Sequence, residues 1–93
     1  MAQLATLKNI SAADTTGQKF VRLSELPTTF TIGEMTDGLL PRMRLHQVDH
    51  QGNPVRYQVH LDRESRHLHS SELVGEALQE DDHVVLHPRV VAG

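Results

Sequence analysis

Hydrophobic and polar positions alternate most cleanly over residues 55–61, where Val55, Tyr57, Val59 and Leu61 interleave with Arg56, Gln58 and His60. A period of two predicts a strand with one buried face and one solvated face. The apolar segment within His83-Val84-Val85-Leu86-His87 predicts a last strand at about 83–88, stopped by Pro88. Between these two, Asp62–Arg66 reads as a turn and residues 67–69 as a very short strand. Ser70-Ser71-Glu72-Leu73 opens a helical turn that reaches about Leu78, and Gln79-Glu80-Asp81-Asp82 forms an acidic turn.

The first half of the chain reads less sharply. Thr31 followed by Glu34 is a capping box: the hydroxyl accepts from a free helical amide while the carboxylate reaches back to the cap. Ile32, Met35 and Leu39 follow at helical spacing, with Leu40 and Met43 on the same face. Pro41 conflicts with a helix interior, because it removes a donor and clashes with the preceding turn. A kinked helix over about 31–45 is expected, since Met43 and Leu45 otherwise have no place in a core. Upstream, Leu4, Leu7 and Ile10 have helical spacing in a short, uncapped segment. The turn residues Ala13-Asp14-Thr15-Thr16-Gly17 and the half-alternating run 18–23 favour a β-hairpin of 3–10 with 18–23 instead.

Composition narrows the chemistry. A chain of 93 residues fits one domain and buries only ~60–65% of its unfolded surface. It has no cysteine, which removes disulfides, thiolate metal sites and cysteine nucleophiles. The net charge is −3, with nine basic and twelve acidic residues, against the clustered Lys and Arg of a phosphate-binding surface. Phe20, Phe30 and Tyr57 are its whole aromatic set, too few for a base-stacking platform. No signal-peptide pattern opens the chain, and no run approaches the ~18 apolar residues of a membrane span. A cytoplasmic protein that binds neither nucleic acid nor membrane is expected.

The order is hairpin, helix, strand, short strand, helical turn, strand. It corresponds to an α+β fold in which a mixed sheet of four to five strands wraps one helix. The residues from Leu78 to Gly93 carry a resemblance: a hydrophobic residue, an acidic turn, the apolar strand 83–87, then a short tail ending in glycine. In this they resemble the end of ubiquitin and its prokaryotic relatives, and 55–68 resembles the strand, turn and short strand before it. The resemblance is to the ubiquitin-like β-grasp family, above all bacterial ubiquitin-like modifiers. The sulfur carriers of molybdopterin and thiazole synthesis and the ubiquitin-like accessory proteins of type VII secretion are further relatives by appearance.

This resemblance implies one ubiquitin-like domain over 1–88 and a flexible C-terminal tail over 89–93. It implies a tail whose Gly93 carboxylate is adenylated by an activating enzyme, with ATP and Mg used by that partner, and is then conjugated to target proteins. The chain itself holds no cofactor in this reading and is not an enzyme. A conjugating enzyme and a peptidase are further implied partners. Glycine at the end permits close approach in a narrow channel, whereas Ala92 departs from the family's usual Gly-Gly by one methyl group. Arg89, with Val90 and Val91, resembles the stretch offered to acidic residues of the activating enzyme. The alternatives are a sulfur carrier using a C-terminal thiocarboxylate, disfavoured by Ala92, and a non-covalent accessory or assembly module.

The outward sheet positions Arg56, Gln58, His60, Val85 and His87 are the expected partner-binding face. Val85 alone among them is apolar, so the apolar receptor patch of ubiquitin is missing. Seven histidines form a high count. His67 with His69, and His83 with His87, share faces at a spacing that can hold zinc. No cysteine or spaced carboxylate joins them, and no metal site is expected. Surface histidines are the default reading, and partner binding through them is expected to be sensitive to pH, since a free imidazole titrates at ~6.5. Asp81-Asp82 reads as turn chemistry, and Ser24 and Ser70-Ser71 form no hydrolase triad. Lys8 and Lys19, the two lysines, are sparse acceptors for chain formation. Homo-oligomers through the hairpin stay open.

Overall fold

The computed structural model describes residues 6–45, 48 and 51–90. The elements are β1 (Thr6–Leu7), β2 (Ile10–Asp14), β3 (Phe20–Leu23), β4 (Leu26–Pro27), α1 (Ile32–Arg42), β5 (Val55–Leu61), β6 (Arg66–Leu68), α2 (Val74–Ala77) and β7 (His83–Val90). Five strands make one mixed sheet in the order β3-β2-β7-β5-β6, and β1 pairs with β4 in a separate two-stranded ladder. The β2–β7 pairing is parallel and its neighbours are antiparallel. Ile32, Met35 and Leu39 of α1 join Ile10, Ala12, Val59, Leu61, Val84 and Leu86 of the sheet in one buried cluster. Alternation on β2, β5 and β7 sends these residues inward, so their sequence neighbours point to the opposite face.

The hairpin departs from its expected position. Strand 3–10 is broken at Asn9, whose φ is +62°, so Thr6–Leu7 turns to β4 and Ile10 begins β2. Residues 3–5 lie outside the described residues. Ala13 and Asp14, expected in the turn, are strand residues. The real turn is held by Asp14, whose carboxylate accepts from the Lys19 N–H and the Thr16 hydroxyl. Gly17 there adopts a φ of +74°, which a Cβ would disfavour. Alanine's weak strand preference hid this register, while full burial of Ala12 stabilises it.

The capping box forms as expected: Thr31 Oγ1 accepts from the Glu34 N–H at 3.1 Å, and Glu34 Oε1 accepts from the Thr31 N–H at 3.0 Å. The helix ends at Arg42 rather than near Leu45, with Pro41 in its last turn. Arg44 enters the left-handed region at φ +55°. Its N–H donates to Pro41 O, and the Leu45 N–H donates to Leu40 O. This pair of bonds is the Schellman motif, which satisfies otherwise orphaned helical carbonyls. Met43 is buried and Leu45 packs on the core from this cap, so no kinked extension is needed to seat them.

Three further boundaries differ. The short strand is Arg66–Leu68, leaving His69 outside it. The second helix is only Val74–Ala77. Pro88 does not stop β7, which pairs with β5 as far as Val90. The ladder to β2 ends at Leu86, so beyond it β7 has an open side, where proline is tolerated.

Candidate interaction face and C-terminal strand

Register assembles the outward face of the sheet. On β5 and β7, Arg56 stands opposite Arg89, Gln58 opposite His87, and His60 opposite Val85. The five expected face residues and Arg89 therefore share one surface, since residues directly opposite point the same way. The same row continues through His67 on β6, opposite His60, and through Ala13 and Phe20 on the other side of Val85. One line across the sheet thus reads Phe20, Ala13, Val85, His60, His67.

This row corrects the expectation of a face whose apolar content is Val85 alone. Phe20 is 53% exposed and stacks on the His83 ring at 6.2 Å. His83 Nδ1 lies 2.7 Å from Ser11 Oγ, which ties the ring to β2. The face has an apolar side built on exposed Phe20 and half-buried Val85 over a buried Ala13, and an imidazole side built on His60, His67 and His87. Sequence reasoning missed Phe20, Ala13 and His67, because the strand register that aligns them carries no linear signal.

The imidazole side is closely packed. Ring centroids of His60 and His67 are 5.0 Å apart, those of His60 and His87 5.7 Å, and those of His67 and His87 5.8 Å. All three pairs meet edge-to-face. The pairs His67–His69 and His83–His87, suggested by spacing, are not the ones in ring contact.

The strand that leads to the C-terminus is anchored on one side only. Past Leu86 it keeps β5 alone as neighbour, ending with Val90 opposite Val55. Arg89 is exposed and its Nη1 donates to Gln58 Oε1 at 3.2 Å. Arg89 and Val90, expected at the start of the tail, belong to β7. Val91, Ala92 and Gly93 lie outside the described residues.

The acidic turn is structural in its contacts. Asp82 is 5% exposed, is gripped by Arg63 through both carboxylate oxygens, and accepts from the Gln79 N–H at 2.7 Å. On the helix side, the Ile32 N–H donates to Glu72 O and the Gly33 N–H donates to Ser70 O. The Glu72 carboxylate accepts from the His69 N–H and from Arg66. The His69 amide, and then the Arg66 guanidinium, hold its carboxyl below the usual range. No helix among the described residues is long and apolar enough to cross a membrane.

Comparison with solved structures places this architecture. The chain is similar to a structure described as molecular mimicry of SUMO that promotes DNA repair: TM-score 0.61, 16% identity, covering 87% of this chain and 90% of that one. It is similar to the UBL domain of yeast Ddi1, with TM-score 0.63 and 6% identity over 100% of both chains. It is similar to Caldiarchaeum subterraneum ubiquitin, with TM-score 0.59 and 18% identity over 92% of this chain and 98% of that one. At such identities the likeness establishes the fold, a ubiquitin-like β-grasp. The sequence matches no protein-family model and no curated protein.

Proposed function

We propose that this chain is a ubiquitin-like protein modifier of the bacterial kind, acting in the cytoplasm through the Gly93 carboxylate rather than as an enzyme. The observation that carries the reading is the course of β7. It stays paired to β5 as far as Val90 and presents an exposed Arg89, leading directly into Val91-Ala92-Gly93. The strand is paired up to the three residues that end the sequence, and glycine offers the least hindered carboxylate.

In this reading the carboxylate attacks the α-phosphate of ATP on a partner enzyme, forming an acyl-adenylate and releasing pyrophosphate. An amine of the target then attacks the acyl carbon; an amide forms, and AMP and a proton leave. Mg²⁺ belongs to the partner. Arg89 and Arg56, exposed and paired across the ladder, suit an acidic surface on that enzyme, while Val90 and Val91 line its channel. The methyl group of Ala92 calls for a channel wider than one built for Gly-Gly. The face bearing Gln58, His60, Val85 and His87 serves recognition by a conjugating enzyme, peptidase or target.

Expression of an amino-terminally tagged protein in its own cell tests this. Higher-mass adducts that vanish when residues 89–93 are deleted support it. A free protein carrying sulfur in place of one carboxylate oxygen identifies a sulfur carrier instead. Full function after the deletion identifies a non-covalent module.

A further inference from the structure

On the described surface the imidazole rings of His60, His67 and His87 are in mutual contact. They come from three neighbouring strands, β5, β6 and β7, with β5 in the middle. Strands two places apart are separated by ~9.5 Å. Yet the rings of His67 and His87, from those outer strands, approach to 5.8 Å. Both side chains therefore lean over β5 toward His60. Among the described residues, none of the six ring nitrogens is engaged in a hydrogen bond; the His83 ring, by contrast, is committed to Ser11.

From this geometry we infer that His60, His67 and His87 form a site for a divalent first-row transition metal such as Zn²⁺, held by three imidazoles on the sheet face. Imidazole is a preferred ligand for zinc, copper and nickel. Three imidazole nitrogens bound tetrahedrally to zinc at ~2.0–2.1 Å set their ring centroids ~5 Å apart. The observed separations of 5.0, 5.7 and 5.8 Å lie within 1 Å of that. The nitrogens do not yet converge: among the described residues no three such groups are already arranged to hold an ion. Binding turns the rings about their side-chain bonds while the strands stay fixed. Three protein ligands leave a fourth position open to water, on the same face as Val85 and Gln58. The site shares His60 and His87 with the proposed recognition face, but it stands whether or not the chain is conjugated.

The test is titration of the full chain with Zn²⁺ alone, followed by calorimetry and by NMR of the histidine ring signals. One ion per chain is expected, shifting the rings of His60, His67 and His87 and leaving those of His69 and His83 in place. Loss of even an outer-shell partner costs ~10–100-fold in metal affinity, so His60→Gln, His67→Gln and His87→Gln should each weaken binding at least tenfold. His69→Gln should leave it unchanged. Circular dichroism without metal checks that each variant folds; His67 is exposed on an edge strand, and the ring shifts in the unaltered chain decide the matter if a variant unfolds. Absence of saturable binding overturns the inference, as does binding that follows His46, His50 or His69 instead, or rings that keep their signals and merely pack edge-to-face.

Discussion

Arg89 stands directly across the β5–β7 ladder from Arg56, and its side chain turns to Gln58 rather than to any carboxylate, donating at 3.2 Å. Like charges directly opposite each other on a sheet are destabilising. The fold gains nothing from this pairing, whereas an acidic partner would gain from both guanidiniums. Arg89→Glu separates the two roles. It is expected to hold or slightly raise the melting temperature by pairing with Arg56, while abolishing binding to an activating enzyme. Differential scanning calorimetry and a pull-down with that enzyme read the two effects.

The helix start rests on reciprocal bonds between Thr31 and Glu34. Thr31→Ala removes the acceptor for the Glu34 N–H, a loss of ~0.5–2 kcal/mol. Since 1 kcal/mol corresponds to ~4–8 °C for a domain of this size, thermal unfolding should show a drop of several degrees. Tail chemistry should be unaffected at temperatures where the variant is folded.

Gly75 sits in α2, where alanine would gain ~1 kcal/mol from helix propensity alone. A Cβ there would lie 2.8 Å from the Thr28 Cβ and 3.2 Å from the Thr28 carbonyl oxygen. The Gly75 N–H also donates to that carbonyl, so the two backbones cannot separate without losing the bond. Gly75→Ala should therefore destabilise by ~1–3 kcal/mol, contrary to its propensity. Urea unfolding measures the sign directly.

Glu72 gives a pH signature. Its carboxyl is held down by the His69 amide first and by Arg66 second. A folded-state pKa below the unfolded value contributes stability that is present above the unfolded pKa and lost as pH falls through the folded one. Glu72→Gln should lower the melting temperature at pH 7, and the difference from the parent should shrink as pH falls below ~4. A difference that stays constant down to pH 3 would place the effect in packing rather than charge.

Elements with a local cause were legible in the sequence: the capping box at Thr31, the alternation from Val55 to Leu61, and the apolar run of β7. What escaped was set by contacts distant in the chain. Ala13 and Asp14 look like turn residues until β7 is placed beside them. Pro88 looks like a strand stop until β2 is seen to end at the level of Leu86. The His60–His67–His87 cluster depends on the registers of both β6 and β7 against β5, and a slip of one residue in either would point a ring into the core. Gly93 was read from family resemblance alone and lies outside the described residues.

The most direct measurement is ATP–pyrophosphate exchange by a candidate adenylating enzyme from the same cell, with and without this protein. Exchange that requires the chain and disappears when residues 91–93 are removed is the expected result. A fully folded chain that supports no exchange with any such enzyme, or supports it equally well without those residues, would contradict a role for the Gly93 carboxylate.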